Sequence, residues 1–262
     1  MGKPRRLSLP LLFSLLGGLL VLFIVLPLAS TVLSTSPQAL GATLEDREVL
    51  RSLGLTFLAA ALATLFALFC GVPLAYLLAR RRFWGKQLVE GIVDLPIVIP
   101  HTAAGIALLM VFGSRGVLGQ FLAPLGIFFV DRLGGIVVAM LFVSLPYLVN
   151  MSRTAFAGVD QEIESVAMVD GASPWQVFWH VTLPQSWRGI LSGAMMMWSR
   201  GISEFGAVVI LAYHPKIVPV LIYERFEGFG LRAALPIAVI LIVTVLIVFS
   251  ILRWLLSPRQ ES

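Results

Sequence analysis

The sequence predicts an all-α polytopic membrane protein with six transmembrane helices and a polar helical loop on the cytoplasmic side between spans four and five. Three observations lead there. Of the 262 residues, 58% are hydrophobic and only 13% charged, where a soluble domain carries about 25% charged residues. The apolar residues gather into runs near the ~20 residues that a helix needs to cross the hydrocarbon of a bilayer. Lipid offers open backbone groups no partner, so runs of that length are helices.

The spans follow in order. The first, about 9–33, lies in the uncharged run Leu7–Leu33 behind "KPRR". Its basic start is that of a signal peptide, but the apolar stretch is too long, and a retained span is expected. The second, about 52–79, ends in "RRRFWGK". Ala59, Ala63, Ala67, Gly71, Ala75 and Ala79 recur in it every four residues, a groove of small side chains that lets a neighbouring helix approach. Gly189 and Gly193 repeat this on a smaller scale in the fifth. The third span, about 88–112, is interrupted by Glu90, Asp94, Pro96, Pro100 and His101, and "DLPIVIPHT" reads as a broken helix. The fourth is about 133–152, the fifth about 189–213 and the sixth about 233–256. Residues 1–262 read as one transmembrane domain.

The net charge of +5 is not the signature of a nucleic-acid binder, because the basic residues stand at the ends of apolar runs, where they set orientation. With the amino terminus inside, Lys3, Arg5, Arg6, Arg80, Arg81, Arg82, Lys86, Arg153, Arg188, Arg253 and Arg259 face the cytoplasm. Arg47, Arg51, Arg115, Arg132, Lys216, Arg225 and Arg232 lie opposite. Both termini are then cytoplasmic. Cys70, the single cysteine, allows no internal disulfide and reads as a small buried hydrophobe.

The loop, residues 160–184, carries its own folding instructions. Asp160 caps a helix whose Ile163, Val166 and Ala167 share a face. Gly171 suits the left-handed residue that ends it. Ser173, Pro174 and Gln176 then form a capping box with proline at the first helical position. Trp175, Phe178 and Trp179 line the next face, and Pro184 is expected to limit that helix. The aromatic stripe could rest in the lipid interface, pack beneath the protein's own helices, or offer a knob to a cytoplasmic partner.

Charged residues within spans are costly and point to function. Arg200 and Glu204 stand four apart on one helix face and are expected to pair. Glu90 and Asp94, also four apart, are like charges, so Glu90 is expected to meet water or a cation. His101, Thr102 and Asn150 could line a path or be satisfied within the bundle.

Glu164, Ala167, Gly171 and the closing Leu183–Pro184 resemble the EAA loop of ABC-importer permeases. "ESVAMVDG" keeps the glutamate one position from its commonest place, with Val166 where alanine is usual. Longer blocks, "VEGIVDLPIVIPHTAAGIALL", "GIVVAMLFVSLPY" and "WSRGISEFGAVVILAYHPKIVPVLIYERF", are similar to the permease of molybdate and tungstate ABC importers, with the sulfate permeases as a neighbouring branch. The resemblance implies a homodimer in a prokaryotic cytoplasmic membrane. Two ATP-binding subunits would dock on Glu164, Ala167, Gly171, Ala172, Ser173 and Trp175, and an extracytoplasmic binding protein would deliver the oxyanion. It implies a pathway or gate at Pro100, His101, Thr102, Ser203, Glu204, Phe205 and Gly206. The chain lacks the G-x-x-x-x-G-K-[ST] phosphate loop, so ATP and Mg would belong to the partner ATPase. No catalytic residue or metal site is expected. Sulfate or thiosulfate import, an ion-coupled carrier using Glu90, Asp94 or Glu204, and a non-transporting scaffold remain the alternatives.

Overall fold

The computed structural model describes residues 9–256, all of whose regular elements are helical. Lys3, Arg5, Arg6 and Arg259, used above for orientation, lie outside the described residues. The elements are α1 (Leu9–Leu33), α2 (Pro37–Glu45), α3 (Arg47–Arg80), α4 (Lys86–Val98), α5 (His101–Phe112), α6 (Gly119–Leu122), α7 (Leu133–Ala157), α8 (Gln161–Val169), α9 (Pro174–Val177), α10 (Leu183–Ile202), α11 (Gly206–Leu211), α12 (Val218–Phe229) and α13 (Leu231–Leu256).

The core is a three-helix contact among α3, α7 and α10. The small-residue stripe makes it possible: Ala59, Ala63, Ala67, Gly71 and Ala75 are all buried. A methyl at Gly193 of α10 would meet the Met151 Cβ of α7 at 3.0 Å, closer than side chains normally approach. Cys70 falls off the stripe and is exposed, contrary to the expected burial. It sits between Ala67 and Gly71 on the turn that faces away from α7.

Among the described residues, four helices are long and apolar enough to span a bilayer: α1, α3, α7 and residues Leu231–Leu252 of α13. The two remaining expected spans are broken. The third is α4 followed by α5, bent by 116°, with the break at Pro100, which has no N–H to donate and holds Ile99 in an extended conformation (φ −73°, ψ 145°). The fifth is α10, which stops at Ile202, and the short α11 beyond Ser203–Phe205. Helix α1 leans on α13 and buries none of its residues within one chain.

Pro184 does not limit the loop's second helix. From α9 the chain passes through one π-turn, Phe178–Thr182, straight into α10, with Pro184 in the first turn of that helix. In the widened turn the Leu183 N–H reaches back to Phe178 O, which relieves the clash a proline ring makes with the carbonyl four residues earlier. The loop's second helix and α10 are therefore one continuous rod.

Candidate functional site

Helix α8 begins where expected, with the Asp160 carboxylate accepting the Glu162 N–H at 2.9 Å. It ends at Gly171, whose φ of +93° is in the region that an L side chain resists. The capping box is formed: Gln176 N–H donates to Ser173 Oγ at 3.3 Å and Ser173 N–H to Gln176 Oε1 at 2.8 Å.

The faces of α8 run opposite to those of an ordinary surface helix. Glu164 is only 8% exposed, whereas Val166 and Val169 are 60% and 86% exposed. The carboxylate points inward because it has partners there. Glu164 Oε1 accepts from Arg80 Nη2 at 2.8 Å and from Thr182 Oγ1 at 2.6 Å. Arg80 Nη2 also donates to Val159 O at 2.9 Å. One residue thus ties α8 to the end of α3 and to the π-turn. Arg80 stood in a basic cluster that sequence reasoning read only as an orientation signal, and Thr182 gave no signal at all.

Gly171, Ser173 and Trp175 are exposed, and Ala167 and Ala172 are half-buried beside them. The aromatic stripe divides. Phe178 turns in against Tyr76, with ring centroids 5.0 Å apart, while Trp175 and Trp179 stay outside.

A second cluster forms where the two broken spans meet. Helix α11 packs against α5, and Gly206 permits it: a Cβ there would fall 2.8 Å from the His101 Cβ. Glu204 is completely buried. Its Oε1 accepts the Ala207 N–H at 2.8 Å, capping α11. Its Oε2 lies 3.1 Å from Arg200 Nη2 and 3.0 Å from His101 Nδ1. Arg200 also reaches Ser203 Oγ at 3.2 Å. The expected Arg200–Glu204 pair is present, and His101 joins it from 99 residues earlier, a contact no spacing argument could find. Pro100, Thr102 and Ser203 are exposed at this junction, and Phe205 and Gly206 are half-buried. A buried ion is tolerated only with a partner that balances its charge. Here a guanidinium and an imidazole stand at the buried carboxylate, and the three together hold two helix breaks in place.

Towards the α8 end of the bundle, Glu90 meets cations as expected, with Arg153 at 2.7 Å and Lys86 at 4.0 Å. Asp94 accepts from Asn150 Nδ2 at 2.6 Å. At the opposite end, Lys216 bridges Glu48 (3.0 Å) and Glu224 (2.7 Å), and Arg225 bridges Glu48 (2.8 Å) and Asp46 (3.3 Å). These pairs fasten α12 to the start of α3.

Residues 71–261 match the family described as the binding-protein-dependent transport system inner membrane component. The chain is 44% identical over 251 residues to a molybdate/tungstate transport system permease protein of Thermococcus kodakarensis, covering 95% of this chain and 96% of that one. It is 44% identical over 260 residues to the protein of the same description in Pyrococcus furiosus, covering 98% and 99%. A probable sulfate transport system permease protein of Zygnema circumcarinatum is 33% identical, covering 93% and 86%. Among solved structures, a bacterial alginate ABC transporter in complex with its alginate pentasaccharide-bound periplasmic protein is similar in fold (TM-score 0.72, 18% identity, 93% and 92% covered). So is the inward-facing MetNI methionine ABC transporter (TM-score 0.61, 17% identity, 80% and 93% covered).

Proposed function

The chain belongs to the family of binding-protein-dependent transport system inner membrane components, and we propose that as a homodimer it forms the membrane pathway of an ATP-driven importer of molybdate and tungstate. The substrate reading rests on relatives so described that align over nearly the full chain. The mechanical reading rests on one observation, the reversed faces of α8. A helix that buries its glutamate and exposes Ile163, Val166 and Val169 has an apolar surface to cover and an internal anchor to pull on.

In this reading two ATP-binding subunits, which carry ATP and Mg, seat on α8 and the Gly171–Trp175 turn. Glu164 is the anchor rather than a contact with the partner. Because α9 runs unbroken into α10, displacement of the turn moves the α10 end that carries Arg200 and the Glu204 junction. The gate is assigned to Pro100, His101, Thr102 and Ser203–Gly206, where two spans break side by side. The whole chain acts as one transmembrane domain with both termini cytoplasmic, and an extracytoplasmic binding protein hands over the tetrahedral dianion.

Sulfate import is the second reading, favoured by the 33% identical relative. A proton-coupled carrier is less well supported, since Glu90 and Asp94 are held by Arg153, Lys86 and Asn150. ATP-driven uptake of tungstate, molybdate and sulfate into liposomes holding the chain, its ATPase and its binding protein is the test. Uptake of the first two over sulfate is expected. Preferential sulfate uptake overturns the substrate, and absence of ATP-dependent uptake by an assembled complex overturns the mechanism.

A further inference from the structure

A groove of about 590 Å³ runs between the last turns of α3 and the start of the α9–α10 rod. Leu68, Phe69, Val72 and Tyr76 line one side, and Trp175 and Trp179 the other. Arg81 stands at its end, exposed. From Leu68 to Arg81 the groove follows α3 for about 20 Å at the rise of an α-helix, longer than the ~15 Å half-thickness of a bilayer's hydrocarbon. It therefore leads from the middle of the membrane to the headgroup level.

The neighbouring arginine is already used: Arg80 is committed to Glu164 and Val159 O. Among the described residues Arg81 makes no ion pair, and its backbone N–H is spent on Leu77 O as the cap of α3. A cation without a carboxylate, at the polar end of an apolar channel and beside two exposed tryptophans, matches one kind of molecule. Tryptophan favours the interface because one edge is apolar and the other wet. We propose that this groove seats an anionic phospholipid, with an acyl chain along Leu68–Tyr76 and its phosphate on the Arg81 guanidinium. The inference needs α3 to cross the bilayer; it does not depend on which solute the chain carries. It gives the loop a second neighbour, because the lipid would fill the space behind the turn that Gly171 and Ser173 shape.

The groove's own tryptophans report on it. In a full-length chain with Trp84, Trp187, Trp198 and Trp254 replaced by Phe, only Trp175 and Trp179 fluoresce. That chain is placed in phosphatidylcholine vesicles containing a small fraction of either brominated phosphatidylglycerol or brominated phosphatidylcholine. At equal mole fraction the brominated phosphatidylglycerol is expected to quench roughly fivefold more effectively, which corresponds to the ~1 kcal/mol that one basic residue contributes near an anionic surface. Arg81→Gln is expected to remove the preference while quenching by both lipids persists, and Arg81→Lys to keep most of it. A melting midpoint close to that of the unsubstituted chain shows that each variant is folded. Equal quenching by the two headgroups would mean ordinary surrounding lipid and overturn the site. A preference that survives in Arg81→Gln would overturn the assignment of the headgroup. No quenching by either would overturn the lipid and mean that a protein segment, such as part of a second copy, covers the groove.

Discussion

Removing the Arg80 guanidinium tests the anchoring of α8 directly. In Arg80→Gln the Glu164 carboxylate stays where it is, with its bond from Thr182 but without its counter-charge. The two side chains are 7% and 11% exposed, so water compensates little. Breaking a buried pair by deleting one partner costs about 3–5 kcal/mol. The low end applies here, since Thr182 remains as a donor and Arg80 already leaves its Nε and Nη1 buried without partners. A loss of about 3 kcal/mol falls on a helix of nine residues, too short to hold its shape unaided in water. The core of α3, α7 and α10 does not pass through this pair, so the loss appears as local opening.

Amide hydrogen exchange is the assay. Protection across Gln161–Val169 should fall by about a hundredfold at ~1.4 kcal/mol per decade, with α7 and α10 unchanged. In the reconstituted importer, more ATP should be hydrolysed per ion moved, because a loosened α8 passes on less of the stroke; a merely structural loss would lower both rates together. Exchanging the charges, Arg80→Glu with Glu164→Arg, should recover part of the protection. Unchanged exchange in Arg80→Gln, or exchange raised evenly over the whole bundle, would refute the anchoring argument.

Gly171→Val should weaken co-purification of the ATP-binding subunit, because a β-branched residue at φ +93° costs about 1–2 kcal/mol or more, whereas Gly171→Asn should largely preserve it. Arg200→Met should lower the melting midpoint in detergent, since it leaves the fully buried Glu204 with only His101 and the Ala207 N–H beside it, a cost near the low end of about 3–5 kcal/mol, and Arg200→Met with Glu204→Met should recover much of that loss. At the α12 end, hydrogen bonds from Lys216 and then Tyr213 hold the Glu224 carboxyl below its ordinary 4.5, against the opposing effect of burial. A depressed carboxyl adds stability above its unfolded pKa and loses it as the pH falls through the folded one. The midpoint penalty of Glu224→Gln, measured against pH, should therefore be present at neutral pH and shrink below 4.5. Lys216 is shifted upward, first by its hydrogen bond to Glu224 and despite burial, and then by Glu48. Its share is present below 10.5 and lost only as the pH rises beyond it.

What could be read from the sequence is what short-range rules govern. Asp160, Gly171 and the Ser173–Gln176 box act on backbone within four residues, so the loop's turn was visible to the residue. The alanine stripe of α3 and the Arg200–Glu204 pair follow from the helical repeat in the same way. The proline-broken third span was also legible, though its 116° bend was not, since a proline fixes where a helix ends and its packing fixes where the chain goes next. Pro184 misled for a related reason: its cost depends on the carbonyl four residues back, and one π-turn removes the conflict. The contacts that organise the two sites, Arg80 with Glu164 and His101 with Glu204, join residues 84 and 103 apart in number, a distance at which periodicity is silent. Both have the same logic. A carboxylate that a surface rule would leave in water is buried against a nitrogen-bearing side chain at the end of a distant helix, the Arg80 guanidinium in one case and the His101 imidazole in the other. The first links the loop to the long helix α3, and the second links the two helix breaks to each other. In the proposed importer, these two contacts would let the loop and the helix breaks move as connected parts.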